Sequence, residues 1–179
     1  MANLATTYCS QSRWKEAEEL DVKVLVSSSR VLNEDHPHTI TAMDNLAATY
    51  GNQGRSKESE ELETEVMEAR MRVLGDEHTD TITAMANLAA TYWLQGRWKE
   101  TEGLDVKVLE ARTIALGGEH PNTIRAMANL AVTYRNQGRP KEAEELEAKV
   151  MEARMRVLNE NFSGTDQSHG QARENQERS

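Results

Sequence analysis

Cysteine is almost missing from this chain: Cys9 is the single thiol among 179 residues. No intrachain disulfide can form, and the composition fits a reducing compartment. Proline occurs three times and phenylalanine once, whereas Ala, Leu, Glu, Lys, Arg, Met and Gln are abundant, a mixture that favours helix. No apolar run approaches the roughly 20 residues of a membrane span, and the N-terminus lacks the charged-then-apolar order of a secretion signal. A basic surplus is missing too, since the formal net charge is −9 with acids and bases interleaved throughout. That argues against a phosphate-tracking surface and a polybasic anchor, so neither nucleic acid nor a membrane is expected as partner, and the default setting is the cytoplasm.

What is present is a repeat. Shifting the chain by 42 positions aligns Asn3, Asn45, Asn87 and Asn129, and with them Tyr8, Tyr50, Tyr92 and Tyr134. Between the blocks opening at His36 and His78, about 26 of the 42 positions are identical, which makes this a true internal repeat. Within one block Ile40, Met43, Leu46, Ala47 and Tyr50 recur at steps of three and four, the stripe of an amphipathic helix. Leu62, Val66, Ala69 and Val73 trace a second one. Between the two stands Gln53-Gly54-Arg55, repeated as Gln95-Gly96-Arg97 and Gln137-Gly138-Arg139, with glycine where a left-handed residue ends the first helix. Gly75 and Gly117, and at the equivalent places Asn33 and Asn159, supply stop signals after the second helix. Pro140 sits at the start of a second helix, where its missing N–H costs nothing.

The wording Leu-Ala-x-x-Tyr, then Gly, then Lys-Glu-Ala-Glu-x-Leu resembles the tetratricopeptide repeat. The join Leu74-Gly75-Asp76-Glu77-His78 followed by Asn87-Leu88-Ala89 and Gln95-Gly96-Arg97 is similar to the 42-residue repeat of kinesin light chains and of fungal and bacterial proteins with such arrays. Departures are Ala in place of the usual small glycine after the repeat leucine, and no closing proline. The likeness is to the repeat module; the heptad-rich segment of full kinesin light chains is not in this sequence. It implies an all-α fold, a right-handed superhelical solenoid of antiparallel helix pairs over residues 1–158, with repeats at about 1–35 (partial), 36–77, 78–119 and 120–158. Residues 159–179, rich in Gln, Ser, Gly, Asn and charge, are expected to form a disordered polar tail.

Met1 aligns with Met43, Met85 and Met127, inside a first helix, and neither end carries the polar capping unit that solenoids need. The expectation is a fragment of a longer array, or self-association through uncapped ends.

His36, His78 and His120 recur once per block but stand too far apart to share an ion; they are expected to finish the turn entering each first helix, and no metal or other cofactor is expected. Glu58, Glu60 and Glu61 read as a solvated, charge-complementary face, and no phosphate-cradling glycine loop is present, so no catalytic machinery is expected.

Binding remains. The resemblance implies that first helices line a concave groove, which assigns to it Asn45, Asn87 and Asn129. Asn donates and accepts, which suits the main chain of an extended peptide; tying one block to the next would use it equally well. Positions where blocks differ would set specificity: Trp93 with Leu94 as an apolar pocket, Arg125 with Arg135 as a cationic one, and Asn136 beside them. Drift at exposed sites is the simpler account of those differences. The carboxylate clamp of chaperone-binding members needs Lys and Arg along these helices, where this chain has mostly Thr, Ala and Asn. The expected partner is a protein or peptide held by a scaffold. A different reading puts the repeats in a larger NB-ARC- or NACHT-type switch protein as its sensor or autoinhibitory segment.

Overall fold

The computed structural model describes residues 7–8 and 11–176, with side chains as far as residue 159. Seven helices occupy the described residues, without a strand among them: α1 (Trp14–Leu32), α2 (Pro37–Asn52), α3 (Ser56–Leu74), α4 (Thr79–Leu94), α5 (Trp98–Leu116), α6 (Pro121–Asn136) and α7 (Pro140–Gln176). The chain falls into two compact units, Met1–Ala111 and Arg112–Ser179. In the first, α1 packs on α2, α2 on α3 and α3 on α4; in the second, α6 packs on α7.

The three first helices, α2, α4 and α6, open alike. His36, His78 and His120 are extended N-caps, and the ring Nδ1 of each accepts the N–H two residues on at 3.1 Å. This is the turn-finishing role read from the sequence, and it satisfies one of the backbone donors a helix start leaves over. Gly54, Gly96 and Gly138 take φ of 76°, 72° and 74° in the hairpin turns, and Asn33, Gly75 and Gly117 close the second helices at 75°, 84° and 85°.

Asn159 departs from that pattern. Helix α7 runs through it to Gln176, across the segment whose composition suggested disorder. No proline interrupts residues 141–176, and Asn costs a helix far less than proline does.

The first helices carry the core. Ile40, Met43, Leu46 and Ala47 of α2 are buried, as are Ile82, Met85, Leu88 and Ala89 of α4. In the first unit Ile40 and Met43 meet Val66 and Ala69 of α3 and Ala84 of α4, flanked by Leu25, Leu62 and Met67. In the second, Ile124 of α6 meets Val150 and Ala153 of α7. Each large aliphatic buried in this way is worth roughly 1.5–3 kcal/mol. Alanines let the hairpin backbones approach, and the Ser59 hydroxyl bridges α3 to α2 by donating to the Ala47 carbonyl at 2.9 Å.

A polar clamp joins successive hairpins of the first unit. Glu18 of α1 accepts from Gln53 Nε2 at 2.9 Å and from Arg55 at 2.7 Å. Glu60 of α3 accepts from Gln95 at 2.9 Å and Arg97 at 2.6 Å. Gln53 and Arg55 hold the Glu18 carboxyl below its ordinary value. Burial pushes Glu60 up, but Arg97 and Gln95 outweigh it and its value also falls. Deeper in, the Thr49 hydroxyl donates to the buried Asp21 carboxylate at 2.8 Å.

Candidate functional site

A stripe of each first helix stays outside the core. Thr41, Asn45, Ala48 and Asn52 lie at steps of four, three and four on α2, as do Thr83, Asn87, Ala90 and Leu94 on α4, and Arg125, Asn129, Val132 and Asn136 on α6. Such spacing puts them on one face. Asn45 is half-buried and all the others are exposed. The Thr41 and Thr83 hydroxyls turn back to the carbonyls of Pro37 and Thr79, both at 2.8 Å, and Asn136 donates to Val132 O at 2.9 Å. Among the described residues, no side chain or backbone group hydrogen-bonds the side chains of Asn45, Asn87 or Asn129. Their amides stay available.

Not every specificity candidate shares that face. Trp93 sits one position from Leu94 and therefore about 100° around α4. Its ring meets Trp98 of the following helix edge to face, with centroids 6.0 Å apart. Leu94 stands 79% exposed. Arg135 likewise turns to its own hairpin partner and pairs with Glu147 of α7. Arg125 instead stands near Arg112, whose guanidinium is held below its ordinary value by burial and then by Arg125. The pairings Trp93 with Leu94 and Arg125 with Arg135 are thus separated by helix geometry.

Beside Asn45 lies a groove that periodicity did not disclose. It is an open space of about 680 Å³ between α1 and α2, bounded by Val24, Ser28 and Val31 on one side and Thr41, Ala42 and Asn45 on the other. One repeat later, Arg70 occupies the position of Ser28; it pairs with Asp44 at 2.8 Å and donates to Asp80 O at 3.3 Å. The third repeat again has a large cation there, the buried Arg112, which donates to Asn122 O at 3.1 Å. Ser28 folds its hydroxyl on to the Val24 carbonyl and leaves the space open. The signal was in the alignment, as a small residue where the other blocks have arginine.

The profile described as "Tetratricopeptide repeat" matches residues 1–72 and 80–156. The chain belongs to the tetratricopeptide repeat family. Among solved structures, a kinesin light chain-like protein of Podospora anserina with nearly identical TPR-like repeats is 27% identical, with a TM-score of 0.79 over 87% of this chain and 74% of that one. A single-substitution form of it gives 27% and 0.81 over 88% and 74%. BtubC (BKLC) from P. vanneervenii shares the fold at 19% identity, with a TM-score of 0.80 over 88% of this chain and 63% of that one. Comparison with curated proteins finds no match.

The fold class is therefore an all-α tetratricopeptide solenoid of kinesin light chain-like repeats, and repeats of this family generally mediate protein–protein interaction. No helix among the described residues is long and apolar enough to cross a membrane.

Proposed function

We propose that the chain is a non-enzymatic scaffold, residues 1–158 forming the repeat array, whose first helices receive an extended stretch of a partner protein. The observation that carries this reading is the uncommitted stripe: Asn45 and Asn87 occupy equivalent places on α2 and α4 with amides that no hydrogen bond among the described residues uses. An extended peptide offers an N–H and a C=O at every residue, and an Asn amide can serve both whatever the peptide's side chains. The space beside Val24, Val31 and Ala42 would take one apolar side chain of the bound segment. Arg125 and Asn129 on α6 present the same pattern in the second unit, with a cationic bias that favours acidic peptide residues.

A peptide-array screen against the full chain tests this. Asn45→Arg and Asn87→Arg together should abolish recovered binding, and Ser28→Arg, which restores the residue of the other repeats, should remove the preference for an apolar anchor. Binding indifferent to all three substitutions would rule out this face.

A further inference from the structure

In the last turns of α5 stands a buried cation without a counter-charge. Arg112 is 8% exposed, and its Nη1 donates to the Asn122 carbonyl in the first turn of α6 at 3.1 Å. Its counterpart one repeat earlier, Arg70, reaches Asp80 O in the same way and adds an ion pair with Asp44 at 2.8 Å. That carboxylate is not repeated, since the residues in register with Asp44 in the next two blocks are Ala86 and Ala128. Among the described residues, neither Arg112 nor Arg125 forms an ion pair.

A second cation has been added where the first lacks its acid. Arg125 takes the place of Thr41 and Thr83 and lies three residues beyond Asn122, on the same side of α6 as the residue that holds Arg112. It is exposed. Burial first, and Arg125 second, hold the Arg112 guanidinium below its ordinary value, and no carboxylate among the described residues offsets them. A desolvated charge beside a like charge costs free energy, which an anion between the two recovers. Arg112 commits one N–H to Asn122, so both guanidiniums keep donors for a guest.

We infer that Arg112 and Arg125 form a binding site for a phosphate dianion. Charge and shape select phosphate over carboxylate. A carboxylate is a monoanion with two coplanar oxygens, which matches one guanidinium fork and leaves the other charge standing. A phosphate monoester carries nearly twice that charge at neutral pH and has three acceptor oxygens, so it can bridge two forks that are not coplanar. Two sources supply this chemistry. If the anion is a phosphorylated side chain of a partner, Asn129, one turn beyond Arg125 on the same stripe, is placed for the main chain beside it, and the inference rests on the peptide-binding reading above. If it is a free phosphate compound, the site stands without that reading.

Isothermal titration calorimetry on the full chain at fixed ionic strength tests it, using inorganic phosphate and end-blocked tripeptides with phosphoserine, serine or glutamate between two alanines. Inorganic phosphate should bind with no peptide present, which separates this site from the Asn stripe. A phosphoserine tripeptide that binds more tightly than inorganic phosphate assigns the site to a phosphorylated partner; the reverse order assigns it to a free phosphate compound. The serine and glutamate tripeptides should be weaker than the phosphoserine one by roughly tenfold or more. Arg125→Gln, at an exposed position, should weaken phosphate by a similar factor, and Arg112→Lys should weaken it too, because lysine keeps the charge without the fork. If circular dichroism shows that Arg112→Lys has lost helicity, a transplant takes its place: Asp44→Ala with Thr83→Arg copies the pair into the first unit beside Arg70 and should add a second phosphate site. Absence of phosphate binding, glutamate bound as tightly as phosphoserine, or an affinity indifferent to Arg125→Gln would each overturn the inference.

Discussion

Arg55 lies over the ring of Tyr50, 4.0 Å from its centroid. That stacking aims the guanidinium at Glu18 of the preceding hairpin, 2.7 Å away, and at Glu58 of its own at 3.0 Å. Exposed ion pairs contribute little by themselves, but a planar guanidinium held by a ring and two carboxylates loses less freedom on binding. Arg55→Ala should lower the thermal midpoint, and Arg55→Lys should recover only part of the loss, because lysine keeps the charge without the fork. Full recovery in melts followed by circular dichroism would show that charge alone matters.

Leu88 and Leu94 are six residues apart on α4 and differ in burial, at 2% and 79% exposed. Leu88→Ala should cost about 2–5 kcal/mol through lost transfer energy and a cavity. Leu94→Ala should change stability by no more than about 0.5 kcal/mol. Urea unfolding at neutral pH separates them.

Burial pushes the Asp21 carboxyl above its ordinary value of 3.8, with the Thr49 hydrogen bond offsetting part of the rise. A group whose folded pKa is raised adds stability below its unfolded pKa and loses it as pH rises through the folded one. At neutral pH the ionised Asp21 is thus a net cost. Asp21→Asn keeps an oxygen for Thr49 and removes the charge. It should raise the urea midpoint at neutral pH and leave it unchanged below 3.8. A variant equally shifted at both pH values would show that packing, not ionisation, governs the site.

Gly96 and Gly103 make a matched pair of backbone tests. At Gly96, φ is +72°, so Gly96→Ala should destabilise by roughly 1 kcal/mol. Gly103 lies inside α5 with open space around its absent Cβ. Gly103→Ala should stabilise by about 0.5–1 kcal/mol. Calorimetric melts of the two variants should move in opposite directions.

Most of the helical plan was legible in the sequence because its causes are local. The stripe through Ile40, Met43, Leu46 and Ala47, the histidine caps, Pro140 at its helix start and the glycine turns all act within a few residues, and each stands where periodicity and turn chemistry put it. The site was less legible. That Trp93 meets Trp98 and Arg135 meets Glu147 follows from how each first helix rolls against its hairpin partner, which variation between blocks does not reveal. The Val24 groove needed a comparison of Ser28 with Arg70 and with what Arg70 reaches in space.

Sequence alone settled that this chain makes antiparallel helical hairpins of period 42, since capping, turning and amphipathic spacing are interactions between near neighbours. Tertiary structure alone decided which faces those helices use. Met67–Leu74 and Met151–Leu158 are the same eight residues, yet Met67 and Met71 are half-buried in one copy while Met151 and Met155 are exposed in the other. Burial is a property of what packs on a helix, and a helix cannot spell out its neighbour.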